Sequence, residues 1–322
     1  MPSFTKLAIA SACAANTLAH GTVQSFLTDG TFNQGFLTQY YYMFEQGQTP
    51  PTHFGWYAEN LDNGFVEPSA YGTPDIICHK NAKPASATAK VAAGGKVEFQ
   101  WTAWPNAHVG PVITYMANCN GNCAKVDKTQ LKFFKIDEAG YNVDTKSWAA
   151  IDMIANNNTW STTVPANIVA GNYVIRHEII SLQDAAGAQN YPQCVNIEVT
   201  GSGTENPEGV LGTQLYSSTD AGIAFSPYTT FTKYQIPGPA LFGSGPDNTV
   251  PGTPSAPAAP SVTPTPSNMP APPPSGEDGI GDDNDSDDSD SLPETFTLAT
   301  FLVWLQKMAT SNGVTRRHAR AF

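Results

Sequence analysis

Residues 96–104, KVEFQWTAW, place Val97, Phe99 and Trp101 on one face and Glu98, Gln100 and Thr102 on the other. That period of two belongs to a β-strand with one buried face. GPVITYMA, LKFFKI, TWSTTVP, NYVIRHEIISL and CVNIEVTG are also short and apolar or alternating, and clusters of Gly, Pro and Asn separate them. No helical stripe of convincing length and no repeat period accompanies them. The pattern predicts an all-β fold, an immunoglobulin-like or fibronectin-type-III-like β-sandwich with long loops. Residues 36–75, FLTQYYYMFEQGQTPPTHFGWYAENLDNGFVEPSAYGTPD, read as one long aromatic-rich excursion from it. Loops of that length are uncommon and are often functional.

Composition changes sharply near residue 245. PGTPSAPAAPSVTPTPSNMPAPPPSG is an extended Pro/Ser/Thr-rich linker suited to O-glycosylation, and EDGIGDDNDSDDSDS carries too much charge to be buried. Residues 247–293 therefore read as a disordered linker. They hold nine acids and no base, so much of the net charge of −12 belongs to them. Residues 20–246 are mildly acidic and carry no basic stripe, which argues against nucleic acid and for a neutral polymer as partner. Residues 294–322 form a short extension with a basic end. Ser291 and Glu294 have capping-box spacing, and Phe301, Leu305 and Met308 share a helical face. A docking or sorting role and no role at all both stay open for it.

The first 19 residues, MPSFTKLAIASACAANTLA, read as a secretory signal: Lys6, a short apolar run, then small Thr17 and Ala19 before the cut. Neither this run nor the uncharged run of the tail is long enough for a transmembrane helix. Secretion fits the cysteines. Cys13 leaves with the signal, and Cys78, Cys119, Cys123 and Cys194 remain. An even number in an exported chain suggests two disulfides with three connectivities. The tight CNGNC turn favours Cys119–Cys123; Cys78–Cys194 would then close a long loop, worth roughly 4–5 kcal/mol.

Cleavage after Ala19 makes His20 the N-terminal residue of a secreted, extracellular protein. Its free amine and imidazole are two nitrogen ligands on one residue, and a second imidazole completes a set of three. Three nitrogens suit one tetragonal Cu(II) ion and reject hard, oxygen-seeking ions. His108 supplies that imidazole from a loop before the strand VITYMA. His177 alternates with Ile175 and Ile179 and reads as a buried, hydrogen-bonded ring. His53 and His79 lie in loops, and His318 lies in the basic tail. No nucleophile elbow, phosphate-cradling loop or dinucleotide fingerprint is present. Asn157 opens an N-glycosylation sequon, Asn-Asn-Thr.

Four stretches in series resemble the fungal copper-dependent lytic polysaccharide monooxygenases of auxiliary-activity family nine, formerly glycoside hydrolase family sixty-one. They are LAHGTV at the cut, HVGPVITYMANCNGNC at 108–123, RHEIISL with GAQNYPQCVNIEVTG within 176–201, and YTTFTKYQIPGPALF at 228–242. The resemblance spans essentially all of 20–243. It implies that the His20 amine and Nδ1 and His108 Nε2 form a flat copper brace, with Tyr191 at the axial position. It assigns Gln189 a catalytic role beside Tyr191, two residues away on the same side of a strand. It pairs Cys194 with Cys78. It also implies O2 or H2O2 as co-substrate, an external electron donor, and cleavage of β-1,4-glucan such as cellulose at carbon one, carbon four or both. Sugar-stacking candidates are Tyr40, Tyr41, Tyr42, Tyr228 and Tyr234. A monomer acting on a flat surface is the expected form.

One position departs from the family pattern. Where its members usually carry a histidine after HEIIAL, this chain has Gln183 in HEIISLQ. Glutamine hydrogen-bonds but does not titrate near neutrality, so it cannot donate that proton. The alternative reading is therefore a copper- or cellulose-binding sandwich with weak turnover or none.

Overall fold

The alternation at 96–101 produces the burial it predicts: Val97, Phe99 and Trp101 are buried, whereas Glu98 and Gln100 are only partly so. The computed structural model describes residues 21–61, 64–183 and 187–243. The signal at 1–19, His20, the linker at 247–293 and the extension at 294–322 lie outside the described residues.

Strands β1 (Val23–Thr28) and β2 (Thr31–Gln34) form a hairpin across Asp29 and Gly30. Both turn residues have positive φ, 48° and 81°, which is why a Gly follows an Asp there. Helices α1 (Thr38–Glu45) and α2 (Asp75–Cys78) come next, then β3 (Ala89–Ala92) and β4 (Lys96–Trp101). The chain continues through β5 (Val112–Asn118), β6 (Lys132–Ala139), β7 (Tyr141–Asn142) and β8 (Ser147–Trp148). Helix α3 (Ala149–Ala155) precedes β9 (Thr159–Thr163), β10 (Gly171–Ser181), β11 (Gln189–Thr200) and β12 (Val210–Leu211).

These strands make the predicted sandwich. One sheet has the order β2-β1-β4-β9, and the facing sheet has the order β12-β6-β5-β10-β11-β3, in which only β3 runs parallel to its neighbour. Phe26, Phe99 and Trp101 from the first pack between the sheets against Met116, Ile175, Ile179, Tyr191 and Ile197 from the second. The second sheet is covered on its outer face too. There Ile113, Tyr115, Phe133, Val174 and Ile180 meet Ile77 of α2 and Trp56, Leu215, Tyr216 and Tyr234 from loops.

Burial on both faces makes β10 buried from Tyr173 to Ser181. Its outward residues include Arg176 and Glu178, both fully buried. Their charges are paired with each other, Arg176 also donates to the carbonyls of Ile76 and Ile77, and Glu178 accepts from Asn190 and Tyr216. A buried ion pair survives only when its remaining donors and acceptors are satisfied in this way. The disulfides are Cys78–Cys194, which ties α2 to β11, and Cys119–Cys123, with Cα atoms 5.3 Å apart in each.

Two expectations need correction. Residues 36–75 are not one irregular loop, because Thr38–Glu45 is helical. The aromatic run at 40–44 has no polar alternation to reveal a period, and only Tyr40 is buried, against Phe36 and His53. Helix α3 was also missed; its buried Ala149, Ala150 and Met153 make too short a stripe to stand out.

His177 is the buried, hydrogen-bonded ring its alternation predicts. It stacks on Phe99 with centroids 4.1 Å apart, and its Nε2 accepts from Trp101 Nε1–H at 3.0 Å. The neutral ring then carries its proton on Nδ1 and donates to Thr114 Oγ1, 2.9 Å away. A second proton would set two donors face to face. Burial first, and the nearby Arg176 charge second, lower its pKa from 6.5 to about 3. The unfolded chain therefore binds this proton before the folded one, so stability is lost as pH falls from 6.5 towards 3. Urea unfolding from pH 7 to 4 should show this loss in the parent protein, and His177→Gln should remove about one proton's share of the slope.

Candidate metal centre

His108 lies between β4 and β5 in a loop that several bonds close. Its N–H donates to Pro105 O at 3.0 Å, and Trp104 Nε1–H donates to His108 O at 2.9 Å. Trp104 is anchored in turn by Asn158 Oδ1, which accepts its backbone N–H at 2.9 Å. After His108, Leu182 N–H donates to Val109 O at 2.8 Å. Gly110 is needed there, because a Cβ on it would sit 1.8 Å from Ile180 O. The half-buried His108 ring is thus held against the end of β10.

Sheet register brings Tyr191 to the same end. Ile179 of β10 pairs with Val112 on one side and with Tyr191 on the other. Tyr191 is fully buried, and its ring meets Trp104 edge to face with centroids 5.0 Å apart. Trp104 meets His108 in the same manner at 5.8 Å. One indole therefore contacts both sequence-predicted ligand rings. The strand spacing also holds: the Tyr191 hydroxyl donates to Gln189 Oε1 at 2.9 Å.

His20 lies outside the described residues, but the residue after it is informative. Gly21 is buried, and a Cβ there would lie 2.8 Å from Thr102 Oγ1 and 2.9 Å from the Trp104 ring. Thr22 exchanges backbone bonds with Thr102, giving to its Oγ1 and taking from its N–H. The chain at position 21 is therefore seated on the same indole. Among the described residues, no three His, Cys, Asp or Glu side chains gather closely enough to hold a metal. His20 directly precedes the Gly21 seat in the chain.

Gln183 is within this site. Its Nε2 donates to Gln189 Oε1 at 3.0 Å, its Oε1 accepts from the Ser181 hydroxyl, and its carbonyl accepts from the Tyr228 hydroxyl at 3.1 Å. The five candidate stacking tyrosines divide. Tyr228 is 72% exposed and joins the site through Gln183, and Tyr42 is 51% exposed on α1. Tyr41 is half-buried against Tyr57. Tyr40 and Tyr234 are buried and cannot stack on a sugar. Tyr234 packs on Trp148 and Phe225, and its hydroxyl donates to Gly222 O. Tyrosine runs do not disclose which ring the core claims. Asn157 is exposed, as its sequon requires.

The model of AA9, Auxiliary Activity family 9 (formerly GH61), matches residues 20–235. The chain belongs to auxiliary activity family 9. It is 52% identical over 253 residues to AA9 family lytic polysaccharide monooxygenase A of Malbranchea cinnamomea, covering 76% of this chain and 75% of that protein. It is also 52% identical over 230 residues to AA9 family lytic polysaccharide monooxygenase A of Thermoascus aurantiacus, covering 69% and 99%. Among solved structures, Cel61B from Hypocrea jecorina, a glycoside hydrolase family 61 member, superposes with a TM-score of 0.66. It shares 51% identity and covers 69% of this chain and 100% of that one. The β-sandwich is thus the architecture of this AA9 chain and its structural neighbours alike.

Trp104 is the site residue that sequence reasoning missed. It lies in the WPNAH segment, four residues before His108, yet its role depends on contacts with residues 21 and 191. Gly21→Ala forces a methyl group into the indole edge and lifts the N-terminal segment from its seat. Copper affinity, measured by calorimetry on protein cut after Ala19, should fall roughly ten- to a hundredfold while the melting temperature changes little.

Proposed function

We propose that this AA9 chain is a secreted, copper-dependent lytic polysaccharide monooxygenase that cleaves cellulose or a related β-1,4-glucan oxidatively, at carbon one, carbon four or both. The observation that carries the reading is the meeting of His108, Tyr191 and the chain just after His20 on the single indole of Trp104. Exclusive binding without turnover is the weaker reading, because the relatives that span the domain are named monooxygenases.

The donor set suits one copper ion. The α-amine and imidazole of His20 and the imidazole of His108 are nitrogen donors, which copper prefers to hard cations, and Tyr191 adds a phenol oxygen. When bound there, copper supplies one-electron chemistry that activates O2 or H2O2 towards a glucan C–H bond. The chain's own groups prepare that place. Trp104 holds the His108 loop through its indole N–H and packs edge to face on both His108 and Tyr191. The Tyr191 hydroxyl proton is held by Gln189, so the phenol oxygen meets a metal through its lone pairs. Gln183 takes the place of the family's histidine beside Gln189 and provides an N–H without an exchangeable charge.

The extended organisation is part of the proposal: a cleaved signal at 1–19, a catalytic sandwich at 20–246, a linker at 247–293 and the extension at 294–322. The family match starts at His20, which supports the cut. The enzyme is read as an extracellular monomer that takes electrons from an external reductant, with Asn157 as its candidate glycosylation site. No described helix is long and apolar enough to cross a membrane.

Electron paramagnetic resonance on secreted protein verified to begin at His20 should show an axial Cu(II) signal with nitrogen couplings, altered or lost in His20→Ala. With reductant and cellulose, the products should carry oxidised ends; native ends alone would defeat the monooxygenase reading. Gln183→His restores a group that titrates near neutrality, and peroxide-driven turnover should rise in it. Unchanged turnover would remove Gln183 as the cause of any slow step.

A further inference from the structure

Gln183 bonds in three directions, through its main-chain carbonyl and both ends of its side-chain amide, so its own covalent frame links the two stretches of one path. The Tyr228 hydroxyl donates to the Gln183 carbonyl at 3.1 Å, Gln183 Nε2 donates to Gln189 Oε1 at 3.0 Å, and the same Oε1 accepts from the Tyr191 hydroxyl at 2.9 Å. The path starts at a ring that is 72% exposed and ends at one that is fully buried. It crosses from the 228–234 segment to the end of β10 and then to the start of β11.

The chemistry of the carboxamide gives this path a direction. A glutamine amide has an accepting end and a donating end, and they are interchangeable only when nothing distinguishes them. Two donors, from Gln183 and Tyr191, converge on Gln189 Oε1, so its carbonyl end is committed to that side. The Ser181 hydroxyl is bonded to Gln183 Oε1, and the Gln183 NH2 faces Gln189. Ser181 is fully buried and pairs in register with Gln189, so this orientation is set by the β10–β11 ladder rather than by a mobile loop. The backbone beside Gln183 is also tied, through Leu182 N–H, to the loop of His108.

We propose that Gln183 is a positioning residue that couples Tyr228, on the polysaccharide-facing surface, to Tyr191 at the metal. A sugar ring stacked on Tyr228 acts on the Gln183 carbonyl, and the Gln183 side chain carries the change to Gln189 and the Tyr191 hydroxyl. The inference rests on the proposed copper site of His20, His108 and Tyr191. It assigns this chain's glutamine a task that needs a fixed donor rather than a proton.

The test uses the full secreted chain loaded with copper, with Cu(II) resonance spectra recorded with and without cellulose. The variants are Tyr228→Phe, which removes one exposed hydroxyl, Gln183→Leu, which removes both side-chain bonds at similar volume, their double, and Gln183→His, which restores a ring N–H. Cellulose should shift the spectrum of the parent protein. Both single variants should lose most of that shift while still sedimenting with cellulose, the double should lose no more than Gln183→Leu, and Gln183→His should recover it. A coupled pair is non-additive in this way, whereas independent sites add. No cellulose-dependent shift in the parent, an undiminished shift in Tyr228→Phe or Gln183→Leu, or additive losses in the double would each overturn the coupling. Tyr228→Phe carries the test alone if Gln183→Leu does not fold. A parent protein without nitrogen-coupled copper would instead overturn the copper site itself.

Discussion

The pairing of β10 with β11 is the contact on which the rest of the structure depends. It runs from Gly171 opposite Val199 to Ser181 opposite Gln189. Because side chains alternate, this one ladder sends Ile175, His177, Ile179 and Tyr191 into the sandwich and Arg176, Glu178 and Asn190 to the loop-covered face. A slip of one residue would exchange the two sets, placing an ion pair against Phe99 and apolar rings among carbonyls that need donors. The buried charges thus oppose a wrong register as much as they support the correct one. Cys194, on the outer face, adds a covalent tie to α2 beside the carbonyls that hold Arg176.

At the end of this ladder, the site is built by close approach of backbone to side chain. Gly21 lies under the Trp104 indole, and Gly110 lies against the Ile180 carbonyl, each at a distance a Cβ would not tolerate. Trp104 touches His108 and Tyr191 together. A single large, rigid ring can orient two ligands at little cost in side-chain entropy, since it has only two rotatable bonds and both are fixed by packing. The elements it joins are far apart in sequence, which is why the proposed metal centre depends on the completed sandwich.

Gln183 sets the polar character of the surroundings of Gln189. An imidazole and a carboxamide can each offer an N–H to Gln189 Oε1, but only the imidazole gains and loses charge near neutral pH. In this chain the polar path from Tyr228 to Tyr191 consists of hydroxyls, a backbone carbonyl and two amides. Its geometry is therefore insensitive to the protonation that a histidine would undergo.

The amino-acid sequence by itself determined the all-β class, most of the long strands and the alternation that puts Gln189 and Tyr191 on one side. It also determined the local Cys119–Cys123 pairing and the structural role of His177. Each of these depends on neighbours within a few residues or on the period of two, and those are written in order along the chain. The grouping of His20, His108 and Tyr191 rests on the resemblance, since spacing along the chain does not say which distant positions come together. Tertiary structure decided which tyrosines the core claims: Tyr40 and Tyr234 are inside, Tyr42 and Tyr228 outside. It decided that the run at 38–45 coils into a helix, and that Trp104 packs on both of the site's rings. The physical reason is the same in each case. An aromatic side chain has enough apolar area to be buried and enough polarity to face water, so its place is set by whatever packs against it, and that neighbour comes from distant sequence.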